Sequence, residues 1–178
     1  MLAKPLAVLA ALCFFGSATL VRAHDNPTDP QIAHIAYTAG VIDIEAAKLA
    51  VEKSKAPAVV DFANGMIRDH EAVNVQALDL VKKLNVTPED NDTSKSLTAA
   101  AATKRSELSG LDGEAFDKAY IENEVAYHKQ VNGALETLLI PSAQNGELKG
   151  LLETGLKLFQ GHQQHAEQVV STERGFEE

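Results

Sequence analysis

Two histidines three residues apart, His162 and His165, lie in the stretch LFQGHQQHAEQVV, residues 158–170. Two more, His70 and His128, sit in RDHEAVN and EVAYHKQV. Each falls on an apolar stripe with helical spacing. Imidazole is costly to bury unless both ring nitrogens find partners. A divalent transition metal supplies such a partner, since imidazole nitrogen and carboxylate oxygen are ordinary ligands of zinc, iron and copper. A carboxylate is at hand in Glu45, three residues after Ile42 and four before Leu49, at the border of its own stripe. Glu45, His70, His128 and His162 are therefore expected to gather into one metal site, with His165 one turn along as a further ligand or flanking group. The alternative is a metal-free layer of hydrogen-bonded histidines that sets helix register. The spacing leaves both readings open.

Other polar residues are placed less sharply. Glu124, four before His128, suits either a ligand or a supporting partner. Asp69 directly precedes His70 and so points about 100° away from it, towards a rim. His34, beside the first stripe, is expected to be exposed or at a helix end. Packing is the default for Tyr37, Tyr120 and Tyr127. Asp117 suits the positive end of a helix dipole. No serine–histidine–acid set, phosphate loop or nucleotide fingerprint is present.

Four long helices are needed to hold these residues. Asp29-Pro30 reads as an N-cap with proline at the first helical position. From there Ile32, Ile35, Ala39, Ile42, Ala46 and Leu49 repeat at 3-4-3-4-3 spacing, to about Ser54. A second helix opens at Ala56-Pro57 with the stripe Val59, Phe62, Met66, His70, Val73, Ala77, Leu80 and Leu84. The few residues between them predict antiparallel neighbours. Residues 85–112 are acidic and turn-rich, with a short helix expected in SLTAAAATKRSEL. The third helix follows Asp112-Gly113, with Phe116, Tyr120, Glu124, His128, Val131, Leu135 and Leu138, and ends at Ile140-Pro141. The fourth starts between Gln144 and Glu147, with the seam Leu148, Leu151, Gly155, Leu158, His162, His165 and Val169. Two hairpins joined by one long crossover is the ferritin-like form of the four-helix bundle, an all-α fold.

The ends and the composition bound the function. Residues 1–23 read as a signal peptide: Lys4, an apolar run over 5–21, and Val21-Arg22-Ala23 before the cut. Residues 24–29 form a polar leader that would begin at His24, whose amine and imidazole together suit copper, and 30–178 form one domain. Cys13, the only cysteine, lies inside the apolar run with no lipobox-like pattern before it. The mature chain would thus have no disulfide, thiolate site or cysteine nucleophile. It would have 155 residues and, without Lys4 and Arg22, 14 basic against 25 acidic residues, a net −11. Nucleic acid is an unsuitable partner for such a surface. No stable membrane insertion is expected after cleavage, and an export signal in a Gram-negative cell implies the periplasm.

Three segments carry a family resemblance: DIEAAKLAVEKSKAPAVVDFANGMIRDHEAVN, LSGLDGEAFDKAYIENEVAYHKQV and LKLFQGHQQHAEQV. Over about residues 30–172 the chain resembles a bacterial family of exported ferritin-like proteins of unknown function, often described as outer-membrane or periplasmic proteins. The resemblance implies a Glu in the first helix, an Asp-His pair in the second, Phe-Asp-x-x-Tyr with a later His in the third, and a His in the fourth. These fall on Glu45, Asp69-His70, Phe116-Asp117-Tyr120 with His128, and His162. It implies no activity. The Glu-x-x-His spacing of di-iron bundles is absent: Ile67, Val125, Phe159 and His162 stand three before His70, His128, His162 and His165. A single, histidine-rich metal ion (zinc, iron or copper) fits better, with metal handling or redox and stress protection as its use. The metal-free alternative is an envelope or stress protein acting through its surface.

Overall fold

The computed structural model describes residues 26–174; residues 1–23, read above as a signal peptide, and His24 lie outside them. The described residues are helical, with no strand among them. Helix α1 spans Asp29–Lys53, α2 Pro57–Lys83, α3 Asp92–Ser109 and α4 Gly113–Ala134. A π-helical turn at Leu135–Leu139 continues α4 into the short α5, Ile140–Ser142, and α6 covers Gly146–Arg174. α1 packs chiefly on α2, and α4 on α6, so the two sequence-adjacent pairs are the two closest pairs in space. No helix among the described residues is long and apolar enough to cross a membrane.

Local chemistry fixes the ends. Thr28, not Asp29, is the N-cap of α1. The Asp29 carboxylate instead accepts the backbone N–H groups of Gln144 and Asn145, both at 2.8 Å. It thereby ties the start of α1 to the start of α6. Asn145 caps α6 by accepting from Glu147 and Leu148 through its side-chain oxygen. At the opposite end, Lys53 Nζ donates to Asp112 Oδ1 at 2.8 Å and to the Ser109 carbonyl, binding α1 to the entry of α4.

The crossover is more helical than the expected short segment. Asn91 accepts from the Ser94 N–H while Ser94 Oγ accepts from the Asn91 N–H. This reciprocal cap starts α3 at Asp92. α3 lies across α1 and touches α4 only lightly, leaving a groove of about 740 Å³ beneath it.

The buried side chains form two separate apolar clusters. One contains Val59, Phe62, Met66, Leu108, Phe116, Tyr120, Ile121 and Val169. The other contains Ile32, Ile35, Leu135, Leu139, Leu148 and Leu152. On α1 the innermost face is not the Ile42–Ala46–Leu49 stripe. The buried positions are Ile32, Ala33, Ile35, Gly40, Asp43, Ile44, Ala47 and Ala50, so the expected stripe holds at Ile32 and Ile35 and departs beyond them, with Ile42 and Ala46 lining the groove beneath α3. The α1–α2 approach is tight at Gly40, where a Cβ would lie 2.4 Å from Asn74 Oδ1. Gly40→Ala should therefore cost about 1–3 kcal/mol, as overpacking does, against the usual gain of alanine over glycine in a helix. Adding Asn74→Ala should recover most of that loss in urea unfolding. If Gly40→Ala alone proves stabilising, the close approach is wrong.

Candidate metal centre

Between the two apolar clusters lies a layer of buried polar groups from four helices: Asp43 on α1, His70 on α2, Glu124 and His128 on α4, and His162 on α6. The most exposed of the five, His162, has 6% of its surface accessible. The ring centres of His70, His128 and His162 form a triangle with sides of 5.8, 5.3 and 5.4 Å. One ligand atom from each of the three lies within 4.8 Å of the others, and the same holds for Asp43, Glu124 and His128. Asp43 Oδ2 approaches His70 Nε2 at 3.3 Å and His128 Nε2 at 3.4 Å.

Two of the rings have their tautomers set by a neighbour. His128 Nδ1–H donates to the Glu124 carbonyl oxygen at 3.0 Å, and a carbonyl can only accept. In the neutral ring Nε2 is therefore a bare lone pair. His162 Nε2–H donates to Asp69 Oδ2 at 3.0 Å, which leaves Nδ1 bare. Arg68 holds Asp69 in turn through Nε at 2.8 Å. His70 is oriented by packing, its ring stacked on Phe159 with 4.6 Å between centres. His162 Nδ1, His128 Nε2, both His70 nitrogens, both Asp43 oxygens and Glu124 Oε2 are buried without a hydrogen-bond partner. Such atoms are rare in folded proteins, and a cluster of them needs an account.

Burial governs their protonation. It pushes His70 down to about 3, helped by repulsion from His128 and His162, and His128 down to about 4. His162 is lowered by the same cause, against the pull of Asp69. Asp43 is pushed up to about 8, and Glu124 well above the carboxyl range by burial and by the charge of Asp43. Burial also raises Asp69, but its hydrogen bonds from Arg68 and His162 prevail and leave it low. Without an added cation the layer is neutral: imidazole lone pairs facing protonated carboxyl groups. A divalent cation would take the place of those protons, and the donor set of three imidazoles and a carboxylate fits it.

The residues expected at the site divide clearly. His70, His128 and His162 come together. Glu45 does not: it is exposed and paired with Arg105 of α3. Its place is taken by Asp43, two residues earlier and so on the other side of α1. His165 is also outside, exposed at the surface with its ring edge-on to Phe62 at 5.2 Å. Glu124 is fully buried within the layer, and Asp69 sits at its edge holding His162. Tyr127 donates to the Ala39 carbonyl at 2.8 Å, while the Tyr120 hydroxyl is buried without a partner. Asp117 is buried on the first turns of α4, and His34 and Tyr37 are half-buried on α1. A signal for Asp43 was present in the sequence. Ala33, Ala36, Gly40, Asp43, Ala47 and Ala50 run at 3-4-3-4-3 spacing, a seam of small residues with one acid in it.

The family described as a domain of unknown function (DUF4142) matches residues 17–169, and the chain belongs to it. Comparison with curated proteins finds no match. Among solved structures, one described as "CopM in the Cu(II)-bound form" is similar with a TM-score of 0.61 and 16% sequence identity. The similarity covers 82% of this chain and 98% of that one. At that identity the likeness is one of fold.

The protonation pattern fixes how the metal-free protein responds to pH. The histidines have folded values below their unfolded 6.5, so the stability they contribute is present above pH 6.5 and lost as pH falls towards 3 or 4. Asp43 has a folded value of about 8 against 3.8, so its contribution is present below pH 3.8 and lost as pH rises to about 8. Below pH 6.5 the three histidines outnumber the two carboxyls, and above it only the carboxyls act. Urea unfolding of chelator-treated protein should show greatest stability near pH 6.5, declining on both sides. A flat profile from pH 6.5 to 8.5 would contradict the buried, protonated Asp43.

Proposed function

We propose that this protein is an exported, ferritin-like four-helix bundle that binds one transition-metal ion through His70, His128, His162 and Asp43. The observation that carries the reading is that one ligand atom from each of His70, His128 and His162 lies within 4.8 Å of the others in a buried layer. Asp69 and the Glu124 carbonyl act as the outer partners that metal-bound histidines characteristically have, each fixing a tautomer. Glu45 and His165 are not part of the proposed ligand set, because one is held by Arg105 and the other is exposed. Glu124 completes the charge balance from beside Asp43. The site has no sulfur donor and three imidazoles, which suits Cu(II) or Zn(II), with iron less well served by a single carboxylate. Cu(II) forms the most stable complexes of the divalent series, and a protein of similar fold has been solved with it bound, so copper is the first metal to test.

The bound ion would supply a Lewis acid or, as copper, a one-electron carrier, in metal handling or in protection of the cell envelope. The periplasm is the proposed location, on the strength of residues 1–23 alone.

Elemental analysis of untagged protein recovered from the periplasm without chelator should find close to one copper or zinc per chain. The His70→Ala/His162→Ala double variant should contain none, while Glu45→Gln and His165→Ala should match the parent. Asp69→Asn should keep the fold but weaken metal binding by about 10–100-fold, as loss of an outer partner does. Parent protein that carries no metal and takes up none on titration would refute the reading.

A further inference from the structure

The metal reading accounts for the polar layer but not for the empty space beside it. A cavity of about 140 Å³ lies between α1, α2, α4 and α6. Its lining follows residues 33–43 of α1, 70–81 of α2 and 148–159 of α6. That is about ten residues of helix, or on the order of 15 Å of length. Asp43, His70, His128 and Phe159 line one end, and the rest is walled mainly by alanine, leucine, valine and isoleucine, with Asn74, Thr93, Tyr127 and Gln130 as the polar members. The sequence leaves this space open because seam positions that would normally carry leucine carry Ala36, Ala39, Ala77, Ala134 and Gly155.

We infer that this cavity is a binding site for a small, uncharged, apolar molecule, no larger than about the size of benzene, held beside the histidine end of the bundle. The volume is many times what a single water needs, and it is close to that of apolar cavities known to stay dry and to take up xenon or benzene. Water would find few hydrogen-bond partners along the aliphatic part of the walls. An ion or a polar metabolite would lose its hydration along the aliphatic walls with nothing in exchange. A small apolar molecule loses little on leaving water and gains contacts with walls that otherwise have none. The inference rests on the metal reading only for what the guest would meet at its inner end, where His70 and His128 face the space.

Xenon is the probe. Chelator-treated protein should shift the ¹²⁹Xe resonance in a saturable, concentration-dependent way. Ala77→Leu and Ala36→Leu, which fill the cavity from α2 and α1, should each abolish that shift. Neither residue belongs to the proposed ligand set, so both variants should bind copper as the parent does and melt no lower than it. Using both guards against one failing to fold. No saturable shift in the parent would overturn the inference, and so would a shift that survives in both folded variants. Xenon binding with no metal binding would keep the cavity and remove the metal reading, whereas metal binding without xenon would do the reverse.

Discussion

The structure depends on one constraint: a layer of five buried ionisable side chains cuts the hydrophobic core in two. Apolar clusters lie on either side of it, and each cluster alone could be assembled from leucine, alanine and phenylalanine in many registers. The layer admits few. A shift of one residue in any of the four contributing helices would turn its polar group away from the others, leaving it among aliphatic side chains or in water. Buried polar groups of this kind are weak contributors to stability and strong constraints on arrangement. Here the price is visible in the partnerless atoms of Asp43, His70, His128 and His162.

Around that layer, the support is organised ahead of any ligand. His128 is fixed by the carbonyl of its own helix one turn back, so the orientation costs no long-range ordering. His162 is fixed across the α2–α6 contact by Asp69, which Arg68 keeps ionised. His70 is held by the face of Phe159, without a hydrogen bond to define its tautomer. The three rings thus differ in how firmly their lone pairs are aimed, and His70 is the adaptable member. Asp43, beside both His70 and His128, brings negative charge when its proton leaves, so an incoming dication would be partly neutralised without recruiting a surface residue.

Much of this was legible in the sequence, and the failures have physical causes. The stripes of α2 and α4 are carried by large side chains such as Phe62, Met66, Phe116 and Tyr120, which leave little doubt about the inner face. His70 and His128 were placed through them. α1 is alanine-rich, and α3 covers the face opposite the bundle centre, so two of its sides are apolar. Continuing the stripe of Ile32 and Ile35 through Ile42 leads to Glu45, whereas close packing against α2 at Gly40 turns the side that bears Asp43, Ala47 and Ala50 inward. α6 shows a subtler slip. Its buried positions are Leu148, Leu152, Gly155, His162, Ala166 and Val169. Spacings of four then three, in place of three then four, bring Ala166 inside and send His165 out. With both histidines on the same stretch, only the neighbouring helices decide between them.

The central claim is that a single metal ion sits where the three imidazoles and Asp43 converge. It is tested most directly by a crystal structure of copper-loaded protein with anomalous data collected at the copper edge. The account predicts one strong peak among His162 Nδ1, His128 Nε2, His70 and Asp43, with the His128–Glu124 and His162–Asp69 hydrogen bonds intact. A peak confined to surface residues such as His165, or to the N-terminal segment, with the histidine layer bridged by water, would contradict it.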